Sequence, residues 1–476
     1  MSGKLTLITL LVAALTAQIS AQETWTLQEC INYARQNNLQ VKQAQATVQS
    51  NELTLKQNQF NRLPNLRASA NYGNNFGLSV NPLTNTLTNV SIGFNNISVS
   101  AGMTVFSGNQ INNRIKQSKM LLEAAQLDAA DTENTLALDI ATAYLNILLG
   151  QEQLENAETQ LELSQAQLDQ IDRLIRAGAR PENERFDLLA QIARNEQTII
   201  DAQNSIELNY LNLKQLMNLD PNTDMQIASP EVTIPAQDPD GFNLNEVFVA
   251  ALGTQPQIRA NDLRMQSAET GVDIAKGAYF PTVSLFGNLD TRYSSEGQQP
   301  TGEVNIVRQS TDVIINGEPS VLEQDVPRPV FEKSPYFDQL NNNFGQSFGA
   351  SVNIPIFNNL QNRIGVQRAR LDVITTEVQN EQVRQQLKTN IQQAIANARA
   401  AKRSYDAAER SVEAAQIAFD NAQKQFELGA INTFDYTTAR NNLDQAQISL
   451  IQAKYQLFFN VKVVDFYLGR PIVIER

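Results

Sequence analysis

Leu63-Pro64-Asn65-Leu66-Arg67-Ala68-Ser69-Ala70-Asn71-Tyr72 and, much later, Phe280-Pro281-Thr282-Val283-Ser284-Leu285-Phe286-Gly287-Asn288-Leu289 decide the fold. In the first stretch Leu66, Ala68, Ala70 and Tyr72 alternate with Asn65, Arg67, Ser69 and Asn71. In the second, Val283, Leu285, Gly287 and Leu289 alternate with Thr282, Ser284, Phe286 and Asn288. Successive side chains of a strand point to opposite faces, so each stretch predicts a strand with one apolar face. A proline at the start of a strand costs no ladder hydrogen bond. Ile97, Val99, Ala101, Met103 and Val105 alternate likewise, as do Phe344, Phe348, Ala350, Val352 and Ile354, with Gln346 the polar exception. Strands are therefore expected at 65–76, 96–106, 282–293 and 343–356. Segments of about ten residues suit tilted strands that cross a bilayer.

Moving outward from the strands, the stretch Gln110–Ala177 contains no proline and one glycine, Gly150. Leu360–Leu428 has the same character, with Gly365. At about 1.5 Å per residue, each predicts a helix of roughly 100 Å. Leu154, Leu161, Leu168 and Ile175 recur every seven residues, as do Ile391, Ala398, Tyr405, Val412, Phe419 and Phe426. Alanines repeat beside the latter at Ala394, Ala401, Ala408, Ala415 and Ala422. A seven-residue repeat implies supercoiling, and small side chains let helices approach closely. Long helices are thus expected over 110–177 and 359–428, with return helices at 185–219 and 433–468. Ile192, Ile199, Ile206 and Leu213, and then Leu443, Leu450 and Leu457, give the return helices the same period.

The chain is written twice. Leu27, Glu29 and Ala34 map at one spacing onto Leu244, Glu246 and Ala251, and Leu63-Pro64 maps onto Phe280-Pro281. Asn113-Arg114-Ile115 and Leu219 map at a larger spacing onto Asn362-Arg363-Ile364 and Leu468, which places an insertion within 294–342. The expected organisation is a first repeat over 22–220 opening on helices 26–62, a linker 221–242, and a second repeat over 243–470 opening on helices 244–279. The stretch 294–342 reads as an enlarged, exposed loop, rich in Gly, Pro, Asn and charge.

Composition narrows the function. Net charge is −13, which disfavours a general nucleic-acid binder. There is no histidine and one cysteine, Cys30, so His/Cys zinc sites, histidine-based catalytic groups and an intrachain disulfide are excluded. Cys30 reads as a packed helix residue. The acids fall in no recognisable catalytic setting, and no cofactor or metal is expected. Residues 1–21 read as a signal peptide, with Lys4, an apolar core Leu5–Leu15 and small residues up to Ala21. Beyond them no apolar run is long enough for a transmembrane helix. The exported chain is therefore either soluble or inserted as a β-barrel. Four strands cannot close a barrel, and open edges are excluded from lipid; three copies would supply twelve. A soluble periplasmic coiled-coil scaffold or adaptor protein remains the other reading of these patterns.

A set of ordered motifs resembles the outer-membrane efflux protein family, of which TolC is the type, over nearly the whole mature chain. These are Thr26-Leu27-Gln28-Glu29-Cys30 with Ala34 and Asn37-Asn38; the two strand-opening junctions; and Val105-Phe106-Ser107-Gly108 and Ile354-Pro355-Ile356-Phe357, each leading into Asn-Arg-Ile. The turns Ala177-Gly178-Ala179 and Leu428-Gly429-Ala430 follow, trailed by Phe186-Asp187 and Phe434-Asp435. The resemblance implies an α+β membrane protein, a trimeric 12-stranded β-barrel (four strands per chain) continuous with a long α-helical coiled-coil periplasmic tunnel. It implies an outer-membrane exit duct of a tripartite efflux or type I secretion system that passively conducts cargo. The implied partners are two further copies, a periplasmic adaptor, an inner-membrane pump of RND or ABC type, and outer-membrane lipid. Residues 294–342 would face the exterior. Gly178, Ala179, Gly429 and Ala430 would contact the adaptor. Asp435, and less directly Asp187, would line the periplasmic aperture, although each also reads as a first-turn helix acid. Ile431 stands where the type protein has a gating arginine, and Phe426 where it has a tyrosine, so an apolar constriction around Phe426 is expected. Arg173, Arg176, Arg180 and Arg185 cluster beside the first turn, solvated or paired with a neighbour's acids.

Overall fold

The computed structural model describes residues 24–80, 87–230, 232–234, 236–315 and 317–470. The signal peptide expected over 1–21 lies outside them. In chain order the elements are β1 (Thr24–Trp25), α1 (Leu27–Asn37), α2 (Leu39–Phe60), β2 (Asn65–Val80), β3 (Leu87–Ser107), α3 (Gln110–Arg176) and α4 (Asn183–Met217). The second half runs β4 (Gln226–Ile227), α5 (Leu244–Thr254), α6 (Pro256–Gly277), β5 (Thr282–Ser294), β6 (Gln298–Ile315), β7 (Glu318–Lys333), α7 (Tyr336–Asn342), β8 (Gly345–Asn353), α8 (Gln361–Glu427) and α9 (Thr433–Tyr467). No described helix is long and apolar enough to cross a membrane. The chain splits into two units. One comprises Leu55–Gln117 and Glu269–Leu371; the other comprises the remaining segments.

The first unit is built on an antiparallel sheet in the order β2-β3-β5-β8. Its register explains the alternation. Leu66 lies opposite Ala101, Ala101 opposite Gly287, and Gly287 opposite Phe348. Met103, Leu285 and Ala350 form the next row of the same face. The other face carries Arg67, Ser100, Asn288 and Ser347 in one row and Asn71, Asn96 and Arg292 in another. There the Ser69 and Ser98 hydroxyls meet at 2.8 Å. Phe286 departs from the polar pattern, and its ring lies over Gly349, where a Cβ would come within 2.8 Å. Val105 was expected on the apolar face. A bulge between Thr104 and Phe106 instead puts Phe106 opposite Val283. β2 and β3 also run beyond 76 and start before 96. Main-chain pairing such as Asn74 with Gly93 continues the ladder through residues whose side chains favour loops.

The stretch 294–342 is not an irregular loop. β6 and β7 form a separate antiparallel hairpin, followed by the short α7. Pro319, Pro327 and Pro329 lie opposite Ile314, Ile306 and Val304. A two-stranded ribbon tolerates them because each strand keeps a free edge. The hairpin base is fixed by Gln339, whose amide oxygen accepts from Ser294 N (3.0 Å) and whose NH2 donates to the carbonyls of Ser294 (3.0 Å) and Ser334 (2.8 Å).

The helical unit shows the duplication in its packing. α3 and α8 each have 67 residues, and α4 and α9 each have 35. α1 opens on a capping box: Glu29 N donates to the Thr26 hydroxyl (3.3 Å) and Thr26 N to the Glu29 carboxylate (2.8 Å). Asn38 breaks α1 from α2 by accepting from Gln40 N at 2.7 Å and donating to Leu216 O at 2.8 Å. Its counterpart Gln255, just before Pro256, donates to Phe466 O at 3.2 Å. Cys30, Ala34, Ile140, Tyr144 and Ile147 pack in one core. Val247, Ala251, Ile391, Ile395 and Ala398 form its equivalent in the other copy. Among the described residues of 221–242, expected as a linker, Met225, Ile227, Val232 and Phe242 are buried. β4 pairs with β1 in parallel, and Arg399 donates to Phe242 O at 2.8 Å. Burial drives the Cys30 thiol pKa up to about 12, with Glu29 adding to the shift.

Candidate functional site

Each long helix stops at a glycine with positive φ, Gly178 at 73° and Gly429 at 72°. Gly178 N donates to Ile175 O (2.9 Å) and Ala179 N to Leu174 O (2.9 Å); Gly429 N donates to Phe426 O (3.0 Å) and Ala430 N to Gln425 O (2.8 Å). This pair of bonds is the Schellman motif, which needs a left-handed residue that glycine supplies without strain. Nothing lies within 4 Å of a Cβ at either position, so backbone conformation rather than crowding requires glycine. Gly178, Ala179, Gly429 and Ala430 are all exposed. The sequence gives the first turn three more residues before Phe-Asp than the second. The structure puts one of them between the helices and the other two in the first turn of α4.

The two turns are joined within the chain by a cluster that the sequence did not reveal as a unit. The Arg180 guanidinium donates to Phe426 O at 3.0 Å and to Ile431 O at 3.5 Å, and lies 3.5 Å from the Glu184 carboxylate. It also stacks over the Phe426 ring, 4.6 Å from its centroid. Glu184 is 7% exposed and accepts from the hydroxyl of Thr433, which is fully buried. Glu184 and Thr433 carry no motif in sequence; only the four-residue spacing of Arg180 and Glu184 was legible. Arg185 pairs with Asp172 of the same chain at 3.4 Å, and Arg176 Nε donates to Asp172 O at 3.2 Å.

Phe426 was expected to wall an aperture. The structure places it inside its own chain, 6% exposed, with its ring 4.8 Å from that of Tyr436 and among Phe419, Leu188 and Ile171. The tight turn returns α9 antiparallel to α8, so the first turn of one helix meets the last turn of the other. The apolar side chains left outside are Leu428 (84% exposed), Phe434 (66%) and Phe186 (63%). Asp435 and Asp187 are both exposed. Asp435 is the third helical residue of α9, where its N–H donates to the Asn432 side chain at 2.9 Å.

Above this cluster lies a buried polar network. Arg440 Nε donates to Gln160 and to Asp444, each at 3.0 Å, while Asn195 donates to Ser164 Oγ at 2.9 Å and Gln160 O at 3.1 Å. Burial raises the Asp444 carboxyl pKa, and Arg440 opposes the shift. These residues tie α3, α4 and α9 in a single axial register, because sliding any helix would strand buried polar groups.

A sheet with one apolar face, one polar face and both edges unpaired among the described residues cannot persist alone in hydrocarbon. A sheet of this kind fits the wall of an outer-membrane channel, where both edges must find further strands. The outer membrane efflux protein family model matches residues 30–219 and 247–470, one segment for each copy, and the chain belongs to that family. Its fold is shared with CusC (17% identity, TM-score 0.73, covering 94% of this chain and 92% of that one). VceC of Vibrio cholerae gives 15% identity and TM-score 0.72, covering 93% of this chain and 96% of that one. CmeC of Campylobacter jejuni gives 16% and 0.70, covering 93% and 85%. No curated protein matches the sequence. The protein is an outer-membrane efflux channel with a periplasmic helical tunnel. Channels of this family form trimers that work with an adaptor and a pump.

Proposed function

We propose that three copies join β2 of one chain to β8 of the next, closing a twelve-stranded barrel that passively conducts cargo handed over by a periplasmic adaptor and an inner-membrane pump of RND or ABC type. The observation that carries this reading is the two-faced sheet, with its apolar rows outward to lipid and its Arg67, Asn71, Asn96 and Arg292 rows inward to water. Exposed Ile374 and Val378 on α8 and Ile200 on α4 supply apolar surface for neighbouring copies. The adaptor contacts the two glycine turns, where Leu428, Phe434 and Phe186 give it apolar anchors. Asp435 and Asp187 put a ring of carboxylates near the entrance, favouring cations there. Phe426 acts behind that ring, as the seat on which the second turn rests.

The test is cysteine cross-linking between β2 and β8. Cys30 is fully buried and its thiol pKa is raised, so it stays silent. Variants that carry one cysteine in a polar row of β2 and one in a polar row of β8 should yield covalent trimers where the two positions face each other. A ladder that contains only monomers at every register would refute the edge-to-edge closure.

A further inference from the structure

The insertion between β5 and β8 does more than extend the chain. Its helix α7 lies against the apolar face of the sheet. The Tyr336 ring sits 4.8 Å from that of Tyr293, the Asn95 amide donates to the Tyr336 hydroxyl at 2.7 Å, and the Thr291 hydroxyl donates to Leu340 O at 2.6 Å. Tyr293 and Thr291 alternate in step with Leu289 and Leu285, and Asn95 stands opposite both Tyr72 and Tyr293. All of these contacts are therefore on the side that carries Leu66, Val99 and Leu285. Phe337 projects beyond them, 78% exposed and edge-on to Tyr336 at 5.3 Å. Its neighbour Gln339 turns the other way and holds the hairpin base.

The level of α7 on the strand matters. From Val283 to Tyr293 the strand advances about 33 Å at ~3.3 Å per residue, or about 25 Å of height at a tilt near 40°. That is the height of the apolar band of a membrane barrel. At the opposite border of this face stands Phe106, opposite Val283 and exposed. Aromatic rings favour the level where acyl chains give way to headgroups. We infer that α7 is a lipid-contacting foot: Tyr336 and Phe337 rest in the boundary of the outer leaflet and anchor the base of the β6–β7 hairpin to the membrane. The inference rests on the lipid-facing reading of the apolar rows. Its partner is a lipid surface, continuous with the one those rows already meet.

Tryptophan quenching tests it, because the wild-type chain has a single tryptophan, Trp25, in the helical unit, whose signal serves as the baseline. Phe337→Trp, Leu285→Trp and Ile306→Trp are each reconstituted in phosphatidylcholine vesicles with bromines placed shallow or deep on the acyl chains. Leu285→Trp should lose intensity most with deep bromines, Phe337→Trp most with shallow ones, and Ile306→Trp, out on the hairpin, with neither. Quenching at Leu285→Trp without any at Phe337→Trp overturns the foot while leaving the barrel intact. A blue-shifted but unquenched Phe337→Trp would mean that a neighbouring copy covers the site, which also overturns it. Absence of quenching at both positions removes the lipid-facing reading beneath the proposal.

Discussion

Replacing Arg180 with alanine should loosen the join between the two helix turns by about two orders of magnitude in local opening. The guanidinium makes a charge-assisted bond to Phe426 O at 3.0 Å and a longer contact to Ile431 O at 3.5 Å. A hydrogen bond from a charged group contributes about 1.5–3 kcal/mol, and the stack on Phe426 roughly 0.5–1 kcal/mol. The change also leaves Glu184, 7% exposed, with the Thr433 hydroxyl but without its cation. Breaking one side of a buried pair costs about 3–5 kcal/mol in general; Arg180 retains some solvent contact, so about 3 kcal/mol in all is the working value. At about 1.4 kcal/mol per decade this is roughly a hundredfold. Hydrogen exchange on the assembled protein in detergent reads it directly, through peptides covering 182–188 and 431–437, because local opening is resolved without global unfolding. The double variant Arg180→Ala/Glu184→Gln should recover part of the loss, since no charge is then left buried. Exchange in both peptides within about twofold of wild type would refute the cluster as a clamp. So would a double variant no better than the single one.

The remaining expectations concern charge and burial. Asp435→Asn should weaken block of single-channel current by multivalent cations in planar bilayers; unchanged block would take Asp435 off the conduction path. Burial, and then Asp128, raise the Asp131 carboxyl, so the folded chain binds more protons there than the unfolded chain above about pH 3.9, the ordinary aspartate value. Stability is thus lost as pH rises through that window, and Asp131→Asn should raise Tm at pH 7, with the gain vanishing near pH 3. Equal gains at both pH values would sever the effect from titration. Cys30, fully buried and with its thiol pKa at about 12, should resist maleimide in the native protein and react on denaturation. Rapid native labelling would place it outside the core.

What was legible in the sequence follows the range of the interactions responsible. Period-two alternation located the strands, since it records which face each side chain takes, and the seven-residue repeats located the long helices. The glycine turns were legible because a left-handed residue has few tenants. Val105 was misplaced because a bulge is a main-chain event that leaves the alternation of residue types undisturbed. The β6–β7 ribbon was missed because its prolines and charges mark a loop by composition, whereas pairing across 298–333 depends on partners far along the chain. Phe426 was put at an aperture because the resemblance sets it where the type protein has a tyrosine, and a matched position does not say which neighbour covers the ring. Only the antiparallel return of α9 brings Tyr436 onto it.

The duplication makes the two copies alike where they form walls and unlike where they do chain-specific work. α3 matches α8 and α4 matches α9 residue for residue in length, and Cys30 and Ala34 take the same places as Val247 and Ala251. Such equivalence lets either copy occupy a similar position in a ring of helices. The departures are insertions, one in each copy. The first copy lengthens its turn by the segment that carries Arg180 and Pro181, which then seats the second turn through Phe426 and Glu184. The second copy inserts the β6–β7 ribbon with its helix α7, which grips the apolar face through Tyr336. Neither insertion disturbs a heptad or a sheet row, because each enters where an element already ends and backbone groups are free to be re-paired. A wall built on a repeated pattern can therefore acquire particular chemistry only at its turns and loops. These are the places where Arg180 and Phe337 stand.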